Sequence, residues 1–205
     1  MRKVKPQLEP CPKCGFRFNC FCKDIPDLQS AVKIVLLMHP NELNRDTNTG
    51  KLVSMSLSST LTFTWDRVSP PEELIQLITC NNYQTILLFP GSESTKLDAQ
   101  SIHQNHKPPM FILLDATWQE AKKMVRKSPW LQALTTMALT GEFSSNYSLR
   151  RNQTPGNLCT CETVSEVLKL NDESANGATL DAFFDRYLSL FQAEKSGHKF
   201  THLKV

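Results

Sequence analysis

Residues 108–130 constrain the fold of this 205-residue chain more than any other stretch. Residues 110–114 are a short apolar run after two prolines, which is typical of a strand buried on both faces of a mostly parallel sheet. From Thr117 onward the apolar residues recur at helical spacing, and Pro129 ends that pattern. Asp115 therefore lies where a buried strand meets a helix, which is where open α/β sheets bind ligands. Alternatively, Asp115 or Thr117 only caps the helix.

The rest of the chain also alternates between strand and helix patterns, and this alternation predicts an α/β fold with a mostly parallel sheet and flanking helices. Further strands are predicted at residues 32–38, 61–65, 85–89 and 131–139. Helices are predicted at residues 52–57, 70–78, 117–128 and 180–191, and a further helix is predicted to follow Thr160–Glu162 and to run to Leu170. The large aromatic residues of the last helix are assigned to the core.

Hydropathy and charge narrow the class of protein. No apolar run approaches the roughly 18 residues of a membrane span, and no hydrophobic region follows the first residues, so we expect a cytoplasmic protein that does not enter a membrane. A net charge of +3 is too small to indicate a polyanionic partner. Residues 1–23, however, contain six basic residues and one acidic residue, which form either a solvated end or a contact for nucleic acid.

Several common catalytic motifs are missing from the sequence. A Walker loop, GxGxxG, GxSxG and HExxH are all absent. Their absence argues against nucleotide hydrolysis, dinucleotide redox chemistry and the standard hydrolase mechanisms.

Four cysteines are crowded near the N-terminus, as Cys11-Pro-Lys-Cys14 followed by Cys20-Phe-Cys22. Four thiolates suit a tetrahedral Zn²⁺ ion, so we predict structural zinc in a small N-terminal knuckle, residues 1–26, followed by an α/β catalytic domain, residues 27–205. The phenylalanines of the knuckle are too few for a core, and the metal is expected to supply its folding energy. An iron–sulfur cluster or a redox dithiol is the alternative. The three other cysteines are expected to lie in the core.

Two polar segments have the composition of a ligand rim. Pro90, Gly91 and Ser92 follow a predicted strand and could offer backbone N–H groups to an anion, although most such loops are only turns. Tyr147 precedes Arg150 and Arg151, and an aromatic ring beside two guanidinium groups can stack on a base and hold phosphate. Solvated loop arginines are the alternative for that segment.

The order and spacing of several motifs resemble those of the DTW-domain family, over nearly the whole chain. They are the cysteine cluster, His39-Pro40-x-Glu42, Asn48-Thr49-Gly50-Lys51-Leu52, Phe89-Pro90-Gly91, Asp115-Ala116-Thr117-Trp118, and Tyr147-x-x-Arg150 with Cys159-Thr160-Cys161-Glu162. The chain departs from the family pattern at Ala116, where glycine is usual, and at Cys159, where serine is common.

The resemblance implies a SPOUT-like α/β fold, a class in which the chain can be knotted. It implies transfer of the 3-amino-3-carboxypropyl group of S-adenosylmethionine to N3 of a uridine in the variable loop of tRNA, with release of 5′-methylthioadenosine. Uridine N3 carries a proton, so the reaction needs a base. The resemblance assigns that role to Asp115, and burial at the strand end is expected to make its carboxylate more basic.

The resemblance also suggests which residues contact each substrate. The residues expected to bind S-adenosylmethionine are Pro90, Gly91, Ser92, Asp115, Thr117, Trp118, Leu158 and Thr160. The residues expected to bind RNA are Arg45, Lys122, Arg126, Tyr147, Arg150 and Arg151. Trp118 could stack on the adenine or cover the sulfonium, although its helical phase also suits the core. The sequence assigns no role to His39, Glu42 or Cys159, and it predicts no oligomeric state.

Two other functions are compatible with the sequence. One is an RNA methyltransferase that uses the same fold and the methyl group of the same donor. The other is a zinc-bearing RNA-binding protein without catalysis, which would make no use of Asp115 at the end of a buried strand.

Overall fold

The structure, a computed structural model, describes residues 9–91, 94–102, 106–141, 143–147 and 158–200. The strands within these ranges are β1 (Lys33–Met38), β2 (Thr60–Thr64), β3 (Gln84–Leu88), β4 (Thr95–Leu97), β5 (Pro109–Asp115) and β6 (Thr135–Leu139). The helices are α1 (Gly50–Ser56), α2 (Glu72–Thr79), α3 (Ala99–Ile102), α4 (Trp118–Lys127), α5 (Pro129–Gln132), α6 (Thr160–Leu170) and α7 (Ser174–Lys195). None of these helices has the length and apolar character needed to span a membrane.

The strands pair in parallel throughout and form one sheet in the order β2-β1-β5-β3-β6-β4. The predicted α/β fold with a mostly parallel sheet and flanking helices is therefore confirmed. The strand predicted at residues 131–139 is too long, because Pro129 begins the short helix α5 and the strand starts only at Thr135. The sequence did not predict β4 or α3, which have only three and four residues.

Helices cover both faces of the sheet, and β1 shows how the sequence achieves this. Ile34 and Leu36 pack into a core with residues of α1, α6 and α7. Val35 and Leu37 pack into a second core with residues of α2, α4 and α5. A strand buried on both faces has to be apolar at successive positions, which explains the continuous apolar runs of β1 and β5. The predicted core face of the last helix is confirmed, because its aromatic residues are buried.

The chain connections diverge between β1 and β5, which are neighbours in the sheet. The chain after β1 passes through α1 on one face to β2, whereas the chain after β5 passes through α4 and α5 on the other face to β6. Ligands of open α/β sheets bind outside the carboxyl ends of the strands at such a point. Asp115 ends β5 in register with Met38, and its carbonyl oxygen accepts a hydrogen bond from the His39 N–H at 3.0 Å. Asp115 therefore lies at this divergence, at a strand end as predicted.

The N-terminal knuckle packs directly on α7. Phe16 and Phe21 are buried in the main core, where their ring centroids lie 5.9 and 5.2 Å from that of Tyr187. The carboxylate of Glu194 on α7 also accepts hydrogen bonds of 2.9 Å from the N–H groups of Phe18 and Asn19. The knuckle was expected to have too few phenylalanines for a core of its own, and Phe16 and Phe21 belong instead to the main core beside the sheet.

The three cysteines outside the knuckle differ in exposure. Cys161 is buried as predicted, Cys159 is partly buried, and Cys80 is exposed at the end of α2, so the core prediction is wrong for Cys80. The division at residue 26, the knot and the cytoplasmic location stay predictions.

Candidate functional site

The carboxylate of Asp115 is the centre of the candidate site. Its residue is only 2% exposed, and each of its oxygens accepts a hydrogen bond from a different part of the chain. Asn48 Nδ2 donates to Oδ2 at 2.6 Å, and Thr160 Oγ1 donates to Oδ1 at 2.8 Å. A buried carboxylate needs such partners, because removing it from water without them would cost several kcal/mol or more. Asp115 thus joins the loop after β1 to the start of α6.

Gly50, the first residue of α1, makes room for this carboxylate. A Cβ atom placed on Gly50 would lie 2.4 Å from Asp115 Oδ2 and 3.3 Å from a methyl carbon of Leu36. No side chain fits at that distance, so α1 can begin against Asp115 only with glycine at this position. The Asn48 side chain completes the arrangement, since its Oδ1 accepts a hydrogen bond from the Lys51 N–H at 3.0 Å.

The helix cap expected near residue 115 belongs to Thr117. The Thr117 side chain accepts a hydrogen bond from the Glu120 N–H, and the Glu120 carboxylate accepts one from the Thr117 N–H, which together form a capping box at the start of α4. The alternative in which Asp115 only caps the helix is therefore wrong. Its carboxylate instead connects Asn48 and Thr160 at the sheet edge.

Glu120 also holds the loop that follows β1. Its Oε1 accepts a hydrogen bond from Asn41 Nδ2 at 2.8 Å and lies 3.5 Å from a guanidinium nitrogen of Arg45 and 3.6 Å from Nδ1 of His39. Burial alone would raise the pKa of the Glu120 carboxyl, but hydrogen bonds from Thr117 and Asn41 outweigh burial and lower it to about 2. Glu120 is therefore an anion at neutral pH.

A third carboxylate, Glu162, organises the start of α6. It accepts hydrogen bonds from the Cys159 N–H at 2.8 Å, the Asn146 N–H at 2.8 Å and the Ser145 hydroxyl at 2.8 Å. These bonds hold residues 145–146 against the helix that presents Thr160 to Asp115. The Cys159 thiol is no candidate nucleophile, because burial and the nearby Glu162 charge raise its pKa to about 12.

An open pocket adjoins Asp115. Its lining includes Met38, which pairs with Asp115 in the sheet, and Asn48, which bonds its carboxylate. The other lining residues are Glu42, Leu43, Asn44, Arg45, Asp46 and Lys51. Both charge signs therefore occur within one small pocket at the sheet edge.

The structure brings some of the predicted donor-binding residues together. Thr160 contacts Asp115 across 45 residues of sequence. Trp118 is 42% exposed, and its ring centroid lies 6.1 Å from that of Phe89, which directly precedes Pro90. Pro90 and Gly91 are exposed, although the Gly91 N–H already donates to the Ser94 hydroxyl at 3.2 Å.

The remaining predicted donor-binding residues are Leu158 and Ser92. Leu158 is partly buried just before α6, and Ser92 lies outside the described residues.

The predicted RNA-binding residues that the structure describes differ in their exposure and contacts. Lys122 and Arg126 are exposed on α4, whereas Arg45 is bound to Glu42 at 2.6 Å and lies near Glu120. Tyr147 does not fit its predicted role, because it is 4% exposed, its ring packs near Phe184, and its hydroxyl donates to the Thr47 carbonyl oxygen at 2.6 Å. A buried ring cannot stack on a base. Arg150 and Arg151 lie outside the described residues.

Sequence reasoning missed several residues that surround Asp115 and Glu120. Asn48, Gly50, Lys51, Glu42 and Asn41 had no assigned role. Most of them belong to the motifs that carry the family resemblance, but only the folded chain shows that Asn48 and Gly50 contact Asp115 and that Asn41 contacts Glu120. One local signal was available, because Thr117-x-x-Glu120 has the spacing of a capping box.

The four knuckle cysteines could hold a metal ion, because their sulfur atoms all lie within 4.8 Å of one another. The Cys11–Cys22, Cys11–Cys20 and Cys14–Cys20 sulfur distances are 3.6, 3.6 and 3.7 Å. Four sulfurs placed tetrahedrally about 2.3 Å from a zinc ion would be about 3.8 Å apart, so the cluster has nearly the size that such an ion requires. Backbone hydrogen bonds from Cys14 and Lys13 lower the pKa of Cys11 to about 6, which favours one thiolate ligand at neutral pH.

Comparison with known proteins shows the family. A sequence model of the DTW domain matches residues 8–192. The chain belongs to the DTW-domain family. Proteins named tRNA-uridine aminocarboxypropyltransferase 2 are similar to it. The Drosophila melanogaster protein is 30% identical over 166 residues, which are 77% of this chain and 64% of the fly protein.

Two mammalian relatives with the same name are more distant. The Mus musculus protein is 27% identical over 171 residues, and the Macaca fascicularis protein is 24% identical over 169 residues. Each match covers 80% of this chain and 57% of the relative. The chain thus spans about three-fifths of the length of these curated DTW-domain relatives. No solved structure matches the chain significantly.

The lowered pKa of Glu120 predicts how stability depends on pH. A carboxyl whose pKa falls from 4.5 to about 2 on folding stabilises the protein above pH 4.5, and this contribution is lost as the pH falls toward 2. The free energy of unfolding, measured in urea at several pH values, should therefore decline less between pH 4.5 and 2 in Glu120→Gln than in the parent. Glu73→Gln, which changes an exposed acid at the start of α2, should keep the parental slope. Parallel curves for Glu120→Gln and the parent would contradict the prediction.

The sulfur geometry predicts a bound metal ion. Freshly purified, reduced protein should contain about one metal ion per chain by elemental analysis, and Cys14→Ser should lose it. Because Phe16 and Phe21 belong to the main core, Cys14→Ser or a strong chelator should also lower the melting temperature of the whole domain. Cys80→Ser, at an exposed cysteine outside the cluster, should change neither value. A metal-free parent protein would refute the site.

Proposed function

We propose that this protein transfers the 3-amino-3-carboxypropyl group of S-adenosylmethionine to N3 of a uridine in tRNA, with 5′-methylthioadenosine as the second product. The observation that carries the proposal is the DTW-domain match over residues 8–192, with relatives that are named for this activity. The buried carboxylate of Asp115 at the divergence of the chain supports it, because a site for bound substrates is expected at that edge of the sheet.

The residues near Asp115 suit the two ends of S-adenosylmethionine. Trp118 and Phe89 form a partly exposed aromatic pair beside the Pro90 loop, and such a surface suits an adenine ring or a sulfonium. The pocket lined by Arg45, Lys51 and acidic residues suits the charged amino acid end. The donor would then extend across the carboxyl end of β5.

The reaction needs a positioned carbon and a base. The uridine N3 would form a bond to the terminal carbon of the aminocarboxypropyl group, while the bond from that carbon to sulfur breaks and its electron pair neutralises the sulfonium. Three carbons on sulfur are electrophilic, so positioning selects the product, and correct positioning can lower the barrier by up to roughly 7–11 kcal/mol.

We propose that the Asp115 carboxylate accepts the proton of uridine N3. The proton reaches this carboxylate through a neighbouring hydroxyl group. Asp115 is almost fully buried, whereas Thr160 is partly exposed and bonded to it. A hydroxyl group can accept one proton while it donates another, so Thr160 can pass the proton from the uridine to the carboxylate. Asp115 is then the base, and Thr160 is the group that touches the substrate.

The decisive experiment identifies the small product. The protein is incubated with S-adenosylmethionine and bulk tRNA, and both the small molecules and the nucleosides are analysed by mass spectrometry. Methylthioadenosine together with aminocarboxypropyl-uridine would support the proposal. S-adenosylhomocysteine with a methylated nucleoside would replace it with methyl transfer, and the absence of any product would favour an RNA-binding protein without catalysis.

We further propose Zn²⁺ as the metal of the knuckle and a cytoplasmic location for the protein. Zinc is the usual ion in closed sites of four thiolates, and no open ligand position is needed for a structural role. Colourless protein that contains zinc would support this assignment, whereas visible absorption from iron and sulfide would overturn it.

The Asp115→Asn variant tests whether Asp115 acts as a base or has only a structural role. The variant should remain folded, because the Asn amide oxygen can accept from Asn48 while its NH₂ group donates to the Thr160 hydroxyl. It should still bind tRNA but lose about 10²–10⁴-fold in turnover, since an amide cannot take the proton. Thr160→Val should also be slow, whereas Thr160→Ser keeps the hydroxyl and should retain most activity. If Asp115→Asn works within a few-fold of the parent, Asp115 is not the base.

The exposed basic face of α4 predicts how tRNA binding responds to salt. If Lys122 and Arg126 contact phosphates, tRNA affinity should fall steeply with salt because bound counterions are released. Lys122→Ala with Arg126→Ala should weaken binding and reduce that slope by about two phosphate contacts. Lys107→Ala is the control, because Lys107 precedes β5 at the opposite edge of the sheet. An unchanged slope in the double variant would show that these charges are only solvated.

A further inference from the structure

We propose that Lys51 binds the α-carboxylate of the group that is transferred and so positions the carbon that is attacked. This inference rests on the proposed function, because it names the residue that reads the amino acid end of the donor. Lys51 lies in the first turn of α1 and lines the pocket beside Asp115. It would be a positioning residue, since it acts on the donor away from the bond that breaks.

Lys51 forms no direct ion pair with a carboxylate among the residues that the structure describes, although the Asp46 carboxylate acts on its charge from a greater distance. Its Nζ donates to the carbonyl oxygen of Asp46 at 3.0 Å and lies 5.8 Å from the ring centroid of Tyr187. The Asp46 carboxylate, in contrast, is bound to Lys195 at 2.7 Å. Within the described ranges, no carboxylate lies within ion-pair distance of Lys51, although the residue is partly buried. A half-desolvated cation of this kind becomes more stable when an anion binds to it.

The other cation of the pocket is already neutralised. Arg45 binds Glu42 at 2.6 Å and lies 3.5 Å from Glu120, so two carboxylates share its charge. An additional anion would gain less from Arg45 than from Lys51. This difference singles out Lys51 among the basic residues of the lining.

The position of Lys51 relative to Asp115 would allow one donor molecule to extend from Lys51 to Asp115. The Lys51 N–H donates to Asn48 Oδ1, and the same side chain donates through Nδ2 to the Asp115 carboxylate. The carboxylate of the donor and the proton acceptor would therefore be held by one rigid turn.

The pocket also contains the carboxylates of Glu42 and Asp46, which are paired with Arg45 and Lys195. A pocket with both signs of charge suits a zwitterionic amino acid end better than a phosphate group. This electrostatic match favours the donor over an RNA phosphate as the anion at Lys51.

Three ligands distinguish the contribution of the α-carboxylate to binding from the contribution of the rest of the donor. S-adenosylmethionine has the carboxylate, decarboxylated S-adenosylmethionine lacks only that group, and methylthioadenosine lacks the whole aminocarboxypropyl group. Calorimetric titration of each ligand should show that Lys51→Met loses about 10- to 100-fold in affinity for S-adenosylmethionine, the value expected for one charge-assisted contact. The affinities of Lys51→Met for the two other ligands should match those of the parent. Lys51→Arg should recover part of the loss.

The control variant is Lys107→Met, which removes a cation at the opposite edge of the sheet that does not line the pocket. It should bind all three ligands like the parent, and equal melting temperatures would show that both variants are folded. Equal weakening of Lys51→Met toward all three ligands, or none, would overturn the inference while leaving the proposed function intact. A loss of tRNA affinity with unchanged donor affinity would assign Lys51 to a phosphate instead. A parent that binds no S-adenosylmethionine would overturn both proposals.

Discussion

The burial of the Asp115 carboxylate is the constraint on which the arrangement of this site depends. A charge at the end of a central strand is stable only if donors reach it, and here they come from Asn48 before α1 and Thr160 in the first turn of α6. Gly50 allows α1 to approach without a clash. One side chain therefore determines where two separate segments of the chain meet, and it does so at the edge where an α/β sheet receives its ligands.

Carboxylates hold the loop after β1 at both of its ends. Glu120 binds Asn41 near the beginning of the loop, and Asp115 binds Asn48 near its end. The Thr47 carbonyl oxygen, between Asn41 and Asn48, accepts a hydrogen bond from the Tyr147 hydroxyl. The buried Tyr147 side chain therefore also helps to hold the loop in place. A loop held in this way loses little further entropy when a substrate binds, so its side chains can be arranged in advance for the reaction.

Periodicity predicted the fold well, because β1 and β5 are apolar at nearly every position and Pro129 interrupts the pattern. It could not predict β4, since a strand of three residues is too short to show a hydrophobic period. It placed Asp115 correctly at a strand end, but Asn48 lies 67 residues away and no local pattern links the two. Tyr147 was misassigned because a polar, Arg-containing segment was read as a surface, whereas its ring is buried near Phe184. Contacts between residues far apart in sequence therefore explain why Asn48 was missed as a partner of Asp115 and why Tyr147 was wrongly predicted to stack on a base.

The knuckle and the pocket share one aromatic residue, Tyr187, although they are far apart in sequence. Phe16 and Phe21 pack against its ring on one side, and the ammonium group of Lys51 lies 5.8 Å from that ring. The Tyr187 hydroxyl also donates to the Asp46 carbonyl oxygen at 3.4 Å, the same oxygen that accepts from Lys51. Any shift of the two phenylalanines would move this ring, because close-packed interiors transmit displacement. A metal ion that ordered those phenylalanines through the cysteine cluster would therefore help to shape the pocket without contacting a substrate.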